Sequence, residues 1–334
     1  MLIVYDPLYG EHLRGIPHPE SPDRVETVAA ALRERGMLSD TLPARDATNE
    51  EIERVHGASY VNLVETEVRG LHGHAGYLST GDTVVDERSM RVARRAAGGA
   101  IVAAQTAYER SVPAFALVRP PGHHAEAARG MGFCVFNNAA IAARAIQAQS
   151  GARVLLIDFD YHHGNGTQAV SGNGLSYLST HAYPAYPGTG GPQENYDLGN
   201  GDVIVNLPFP PHALGTEAFI ASWNALLPQI AQRVRPDMLI VSAGFDYVRG
   251  DPVGDLGVDV AAAGDLAAII NQTAQTYCSG RVAYMLEGGY VPEAIASSVA
   301  HIVNAHRAHA KPSEQAQVAA LPSAVQRVLA NILS

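Results

Sequence analysis

The chain of 334 residues predicts an α/β fold: a central, mostly parallel sheet with helices on both faces. Two observations carry that expectation. Short, largely apolar runs recur at 2–5, 115–118, 154–157, 203–207, 238–242 and 282–286, as in strands buried on both faces, and 175–180 reads as a further strand. Helix-length segments with helix-type starts and stops lie between most of them, and that alternation builds a parallel sheet. No repeat, low-complexity tract or linker divides the sequence, so 1–334 is read as one domain.

Taken in order, the strand at 2–5 opens the chain. A loop rich in glycine and proline follows, carrying His12 and His18. Ser21 then reads as a cap, with Pro22 at the first position of a helix that Gly36 stops. A second helical stretch covers 49–68. The loop Gly70-Leu-His-Gly-His-Ala-Gly76 leads to Thr80-Gly-Asp-Thr83, and an alanine-rich helix runs over 89–110. The strand at 115–118 enters Arg119-Pro-Pro-Gly-His-His-Ala125. Beyond Gly132-Phe-Cys134 and Asn137-Asn138 comes a helix to 149, then strands at 154–157 and 175–180. A proline-rich loop, 183–192, precedes the remaining strands, which alternate with helices at 214–235, 259–277 and 292–310.

Composition narrows the chemistry. With 33 acidic against 23 basic residues the net charge is −10, which argues against a nucleic-acid partner. The sole lysine, Lys311, lies near the C-terminus, which disfavours a P-loop or a pyridoxal phosphate Schiff base. Two cysteines, Cys134 and Cys278, make no disulfide framework and fit a reducing compartment. Neither a secretion signal nor an apolar run of membrane-spanning length is evident, so the expectation is a cytoplasmic protein with no membrane partner. The oligomeric state is left open.

Four apolar runs end in polar clusters: His123 and His124; Asp158, Asp160 and His162; Asp246; and Tyr290. Residues two apart in an extended chain point the same way, so Asp160 and His162 can converge on one metal ion. Asp246 would be a third ligand, leaving an open position for water and substrate. Two carboxylates and a neutral imidazole cancel the charge of a divalent ion, which then acidifies water less than a three-histidine site would. Such a centre needs a base, which His123 and His124 can supply, and an extra electrophile, which the Tyr290 hydroxyl can supply. The implied reaction is attack of water on a polarised carbonyl. Cys134 has no evident activating neighbour and reads as a wall residue rather than a nucleophile. His72 and His74 read as part of a solvated loop, and Tyr183 as loop packing or a pocket mouth.

The stretches Pro120-Pro-Gly-His-His-Ala125, Gly132-Phe-Cys134 with Asn137-Asn138, Asp158-Phe-Asp-Tyr-His-His-Gly-Asn-Gly-Thr167, Gly244-Phe-Asp246 with Gly250-Asp-Pro252, and Glu287-Gly-Gly-Tyr290 resemble, in order, the motifs of the histone deacetylase family. That family includes the acetylpolyamine amidohydrolases and bacterial deacetylase-like amidohydrolases. His18-Pro-Glu-Ser-Pro-Asp-Arg24, Val55-His56 and Tyr60-Val61 extend the resemblance. It implies an arginase–deacetylase fold and a deacetylase-like catalytic domain over 1–334. It implies zinc on Asp160, His162 and Asp246, though ferrous iron suits the same donors. By the same resemblance Tyr290 polarises the acyl carbonyl, His124 is base and then acid, and His123 is its electrostatic partner. Asp158 would buttress His123 and, with Ser179 and backbone carbonyls, hold a structural potassium ion. Asn165, the second partner of His124, resembles the class II branch, and its neutrality leaves His124 less basic than an aspartate would.

The resemblance further implies that Phe133 and Tyr186 wall an acyl-lysine-sized channel lined by Gly132. Arg24 would face an inner cavity, and Asp82 would be a rim acceptor for substrate amides. Val253 stands where an acetylspermidine-selective relative carries a glutamate, and an aliphatic group removes that attraction for a distant ammonium. The expected partner is therefore an acylated amine: an acyl-lysine peptide or a small acylated amine, polyamines included. Two alternatives stand beside it, a two-metal ureohydrolase of the arginase or agmatinase kind and a non-catalytic acyl-ligand binder.

Overall fold

The computed structural model describes residues 1–39, 41–312 and 321–333. In chain order the first elements are β1 (Leu2–Val4), α1 (Asp23–Glu34), β2 (Thr41–Leu42), α2 (Asn49–Glu53) and α3 (Ala58–Arg69). A small antiparallel hairpin, β3 (Gly76–Tyr77) with β4 (Val84–Val85), precedes α4 (Ser89–Arg110) and β5 (Ala114–Ala116). Then come α5 (Asn138–Ser150), β6 (Val154–Asp158), α6 (Asn165–Ala169), β7 (Leu175–Ala182), β8 (Tyr196–Gly199) and β9 (Asp202–Phe209). The chain continues through α7 (Thr216–Val234), β10 (Met238–Ala243), α8 (Ala262–Tyr277), β11 (Val282–Leu286), α9 (Pro292–Arg307) and α10 (Ser323–Leu333).

The main sheet has nine strands in the order β2-β1-β5-β11-β10-β6-β7-β9-β8. Its neighbours are parallel except β8, which runs antiparallel to β9. All residues of β5, β6, β10 and β11 are buried, which is why these segments are apolar on both faces. The chain leaves β5 and re-enters the sheet at β6, three positions farther along, and fills the two places between them later with β10 and β11. A parallel sheet opens a crevice beyond the carboxyl ends of its strands where its order reverses in this way.

Some elements depart from the sequence expectation. The helical stretch at 49–68 is two helices. Thr48 caps α2 in a reciprocal box with Glu51, and the chain breaks around His56 before α3. The break has a tertiary cause: His56 Nδ1 pairs with the Glu126 carbonyl at 2.9 Å, and Nε2 accepts the Asn137 N–H at 2.9 Å. Pro22, not Ser21, occupies the cap position of α1, without a side-chain hydrogen bond; Asp23 and Glu26 place negative charge in the first turn instead. Strand β8 was unforeseen because its four residues are all exposed and too few to stand out beside the glycine-rich stretch that follows.

Behind the crevice lies a buried ionic cluster. Glu20 Oε1 accepts from Arg24 at 2.9 Å and from Arg119 Nε at 2.6 Å, and all three side chains are essentially inaccessible to water. Arg119 also donates to the carbonyls of Tyr9 (2.9 Å), His12 (2.7 Å) and Glu20 (2.8 Å). Removing the shared carboxylate leaves two buried guanidinium groups without their counter-ion. Glu20→Ala is therefore expected to cost about 3–5 kcal/mol, read as a lower urea midpoint at unchanged slope. A loss below about 1 kcal/mol would mean that water or a neighbouring acid takes over the role.

Candidate active site

Four loops at the carboxyl ends of β5, β6, β10 and β11 deliver the polar side chains. Asp160 and His162 follow β6 directly, and Asp246 follows β10. The ligand atoms of these three buried residues lie within 4.8 Å of one another. His162 Nδ1 stands 2.9 Å from Asp246 Oδ2 and 3.2 Å from Asp160 Oδ1. Backbone donors fix both carboxylates: Gly288 N–H on Asp160 Oδ2 at 2.8 Å, and Tyr161 N–H on Asp246 Oδ1 at 2.9 Å. A Cβ at Gly244 or Gly288 would collide with these carboxylates, so both loops need glycine there.

The donor set fits a divalent cation. Burial, and then the charge of Asp160, push the Asp246 carboxyl up to about 7. Burial opposes charge on His162, but its bonds to Asp160 and Asp246 outweigh that and push it up to about 9. Two crowded carboxylates drawing a proton onto a buried imidazole are what a positive ion would relieve. Potassium at Asp158 and Ser179 fits in part. The two are register partners on β6 and β7, but the Ser179 hydroxyl pairs with His181 Nδ1 at 2.8 Å. Asp158 Oδ1 accepts the Asp160 N–H (3.1 Å), and Oδ2 meets His123 Nδ1 (3.0 Å) and the Tyr177 hydroxyl (3.0 Å). Backbone carbonyls would have to supply most of that coordination.

The rings of His123 and His124 lie 4.0 Å apart, yet their settings differ. Burial works against charge on His123, but Asp160 and Asp158 outweigh it and push it up to about 10. Burial, and then the charges of His123 and His162, hold His124 well below the usual histidine range. His124 Nδ1 lies 2.9 Å from Asn165 Oδ1, and its ring centroid 5.8 Å from that of His162. Burial pushes the Tyr290 phenol well above its ordinary value, so it stays a donor. Its ring packs edge-on to Phe133 at 5.8 Å, with the Arg24 guanidinium 5.0 Å from its centroid.

The remaining predicted residues fall around this group. Gly132 and Phe133 both have left-handed backbone, φ 57° and 67°. A Cβ at Gly132 would strike the His124 ring, so only glycine lets this segment lie against that imidazole. Tyr186 packs perpendicular to His124 at 5.2 Å, and its hydroxyl donates to Asp82 Oδ2 at 3.0 Å. Asp82, exposed at the rim, also accepts the Gly132 N–H at 2.8 Å. Arg24 braces the loop after β11, donating to the carbonyls of Gly289 and Glu287. Val253 sits in a turn held by Asp251, whose Oδ1 accepts its N–H at 2.9 Å. Cys134 is buried, its thiol pushed well up by that burial, which removes thiolate character. Tyr183 lines a cavity between the 183–195 loop, β9 and α10, apart from this site.

A histone deacetylase domain matches residues 18–306. The chain belongs to the histone deacetylase family. It is 38% identical over 316 residues to histone deacetylase 15 of Arabidopsis thaliana, covering 92% of this chain and 56% of that protein. It therefore spans little more than half the length of that relative. A probable deacetylase of Archaeoglobus fulgidus is 34% identical over 299 residues, covering 87% of this chain and 81% of its own length. The crystal structure of the HDA15 HD domain superposes with a TM-score of 0.85 at 35% identity, over 98% of this chain and 93% of that one. The fold of the histone deacetylase family, a mostly parallel sheet flanked by helices, is thus the fold described above. No helix among the described residues is long and apolar enough to cross a membrane.

Glu287 and Asp251, beside this group, went unassigned in the sequence. Glu287 Oε2 accepts the N–H groups of Gly122 (2.6 Å) and His123 (3.1 Å), tying the loop after β11 to the loop after β5. Asp251 Oδ2 accepts the Tyr290 N–H at 2.7 Å. Both stand inside the motif stretches named above, Glu287 before two glycines and Asp251 between Gly250 and Pro252, and that was the available signal. Their role, holding backbone rather than touching substrate, has no signature in residue type.

Proposed function

We propose that this chain, with 1–334 acting as one catalytic domain, is a zinc-dependent amidohydrolase that removes acetyl or another short acyl group from an amine. The observation that carries the reading is one juxtaposition. An uncharged His124 lies beside the Asp160–His162–Asp246 cluster, and a protonated phenol, Tyr290, comes from a separate loop. Asp160, His162 and Asp246 would hold the zinc, or ferrous iron, which when bound polarises the acyl carbonyl and acidifies water. Among the described residues the donors form one group of three, which suits one ion rather than the bridged pair of a ureohydrolase.

His124 donates through Nδ1–H to Asn165 Oδ1, so its Nε2 lone pair is free to take a proton from the attacking water. As the oxygen forms its bond to the acyl carbon, Tyr290 O–H donates to the carbonyl oxygen where charge develops. The imidazolium of His124 then returns its proton to the amine nitrogen as the C–N bond breaks. His123, charged and anchored on Asp158, keeps His124 from holding that proton too tightly. Phe133 and Tyr186 exclude water along the acyl chain. Arg24 and Arg119 share one carboxylate, which leaves a buried positive charge behind Tyr290 that suits departure of the released acid.

For substrate we keep acyl-lysine peptides and small acylated amines, with Val253 at the rim offering no charge to a polyamine's distant ammonium. Structural potassium near Asp158 and Ser179 enters none of the steps. The test is a panel of acetyl-lysine peptides and acetylated polyamines with several acyl lengths, given to zinc-reconstituted protein. Turnover of none of them would leave a binder of acyl ligands. Asp251→Ala, which frees the Tyr290 backbone, is expected to lower kcat up to about a hundredfold with metal content unchanged. Steady-state kinetics beside elemental analysis checks it.

A further inference from the structure

Asn165 can serve His124 in only one of its two amide orientations. With Oδ1 toward the ring, His124 carries its proton on Nδ1 and leaves Nε2 bare. With the amide reversed, the NH2 group faces Nδ1, the proton moves to Nε2, and no base remains. The carbonyl and amino ends of an asparagine are nearly the same size, so packing alone does not choose between them. A third group must.

The Asn165 amide nitrogen lies 2.7 Å from Glu126 Oε1, a contact shorter than its 3.4 Å approaches to the His124 carbonyl and to Met131 sulfur. A carboxylate accepts and does not donate, so it holds the NH2 end toward itself and turns Oδ1 to His124. Glu126 is itself held in place. Its N–H donates to the Arg129 carbonyl at 2.9 Å, and its own carbonyl pairs with His56 Nδ1 at 2.9 Å. The His56 bond also underlies the break between α2 and α3, which ties this device to the fold.

We infer that Glu126 is a positioning residue that selects the Nδ1–H tautomer of His124 by fixing the orientation of the Asn165 amide. The inference rests on the reading of His124 as the proton acceptor, yet it concerns a ring tautomer that is observable without turnover. It also gives a reason for the neutral partner. An aspartate at 165 would bring two carboxylates together at the 2.7 Å contact, so Glu126 and Asn165 belong together as a pair.

The test uses the 334-residue chain selectively labelled with 15N-histidine, with the His124 signal identified by its loss in His124→Ala, and kcat for an acetyl-lysine peptide. The native chain is expected to show Nδ1–H. Glu126→Lys puts a donor where the acceptor was, so His124 should change to Nε2–H and kcat should fall by about a hundredfold or more. Glu126→Gln, the isosteric variant, can accept or donate, and should give both tautomers with an intermediate loss. Asn165→Asp alone should lose activity through its contact with Glu126. Glu126→Lys/Asn165→Asp should regain Nδ1–H and most of kcat, because an aspartate accepts whichever way it turns. A native Nε2–H form, Nδ1–H persisting in Glu126→Lys, or no return of Nδ1–H in the double variant overturns the inference. A tautomer that changes while kcat holds would support it, and would instead remove His124 from the proposed reaction.

Discussion

Tyr290→Phe is expected to lower kcat by about 10²–10³-fold, the loss of one oxyanion donor, while the protein binds its metal as before. The substitution isolates the hydroxyl. The ring contacts to Phe133 at 5.8 Å and Arg24 at 5.0 Å involve the face and edge of the ring, which phenylalanine keeps. The backbone is anchored independently by the Tyr290 N–H on Asp251 Oδ2 at 2.7 Å. Nothing in the Asp160–His162–Asp246 group changes. Because the donor strengthens its bond as charge appears on the carbonyl oxygen, the loss should fall on kcat rather than KM. Steady-state kinetics with elemental analysis on the same preparation separates the two. A Phe variant as fast as the native chain would take Tyr290 out of the chemistry.

How much of this was readable beforehand depended on what each residue answers to. Strands β5, β6, β10 and β11 are buried on both faces, so their apolar composition and their abrupt polar ends are direct consequences of position. The same holds for Asp160, His162 and Asp246, which no core packing would place after such runs. Strand β8 answers to its pairing with β9 and to an ion pair of Asp197 with Arg233, neither of which local sequence announces. The break between α2 and α3 answers to bonds from His56 to residues 70 and more positions away, a tertiary demand that local helix propensity does not carry. Glu126, Glu287 and Asp251 act on backbone groups or through another side chain, and an acid in a loop has many such uses. Arg24 illustrates the middle case. Its presence near the site was foreseen and its pairing with Glu20 is local, four residues back, but its bonds to the carbonyls of Gly289 and Glu287 are decided by partners far along the chain.

Asp246→Asn is expected to trade metal binding for metal-free stability, and the pH dependence gives the sign. In the metal-free protein, burial and then the charge of Asp160 raise this carboxyl from 3.8 to about 7. Between those values the folded chain holds a proton that the unfolded chain has released. Its contribution to stability is therefore full below about pH 4 and is lost as pH rises toward 7. Asparagine has no proton to lose, so the variant's melting temperature should exceed that of the metal-free native chain by more at pH 7 than at pH 5. Its side-chain oxygen can still accept the Tyr161 N–H, which guards against a simple loss of structure. Added zinc should reverse the ranking. At a hundredfold over its dissociation constant it stabilises the native chain by about 2.7 kcal/mol, and the variant, lacking one charged ligand, should gain little. Calorimetry at the two pH values, with and without zinc, reads both effects. An equal zinc-induced rise in the two proteins would mean that Asp246 is no ligand. Parallel pH slopes would mean that the crowding of Asp160 and Asp246 is relieved in some other way. The two results together would trace one cause: a pair of buried carboxylates, Asp160 and Asp246, whose crowding a bound cation relieves.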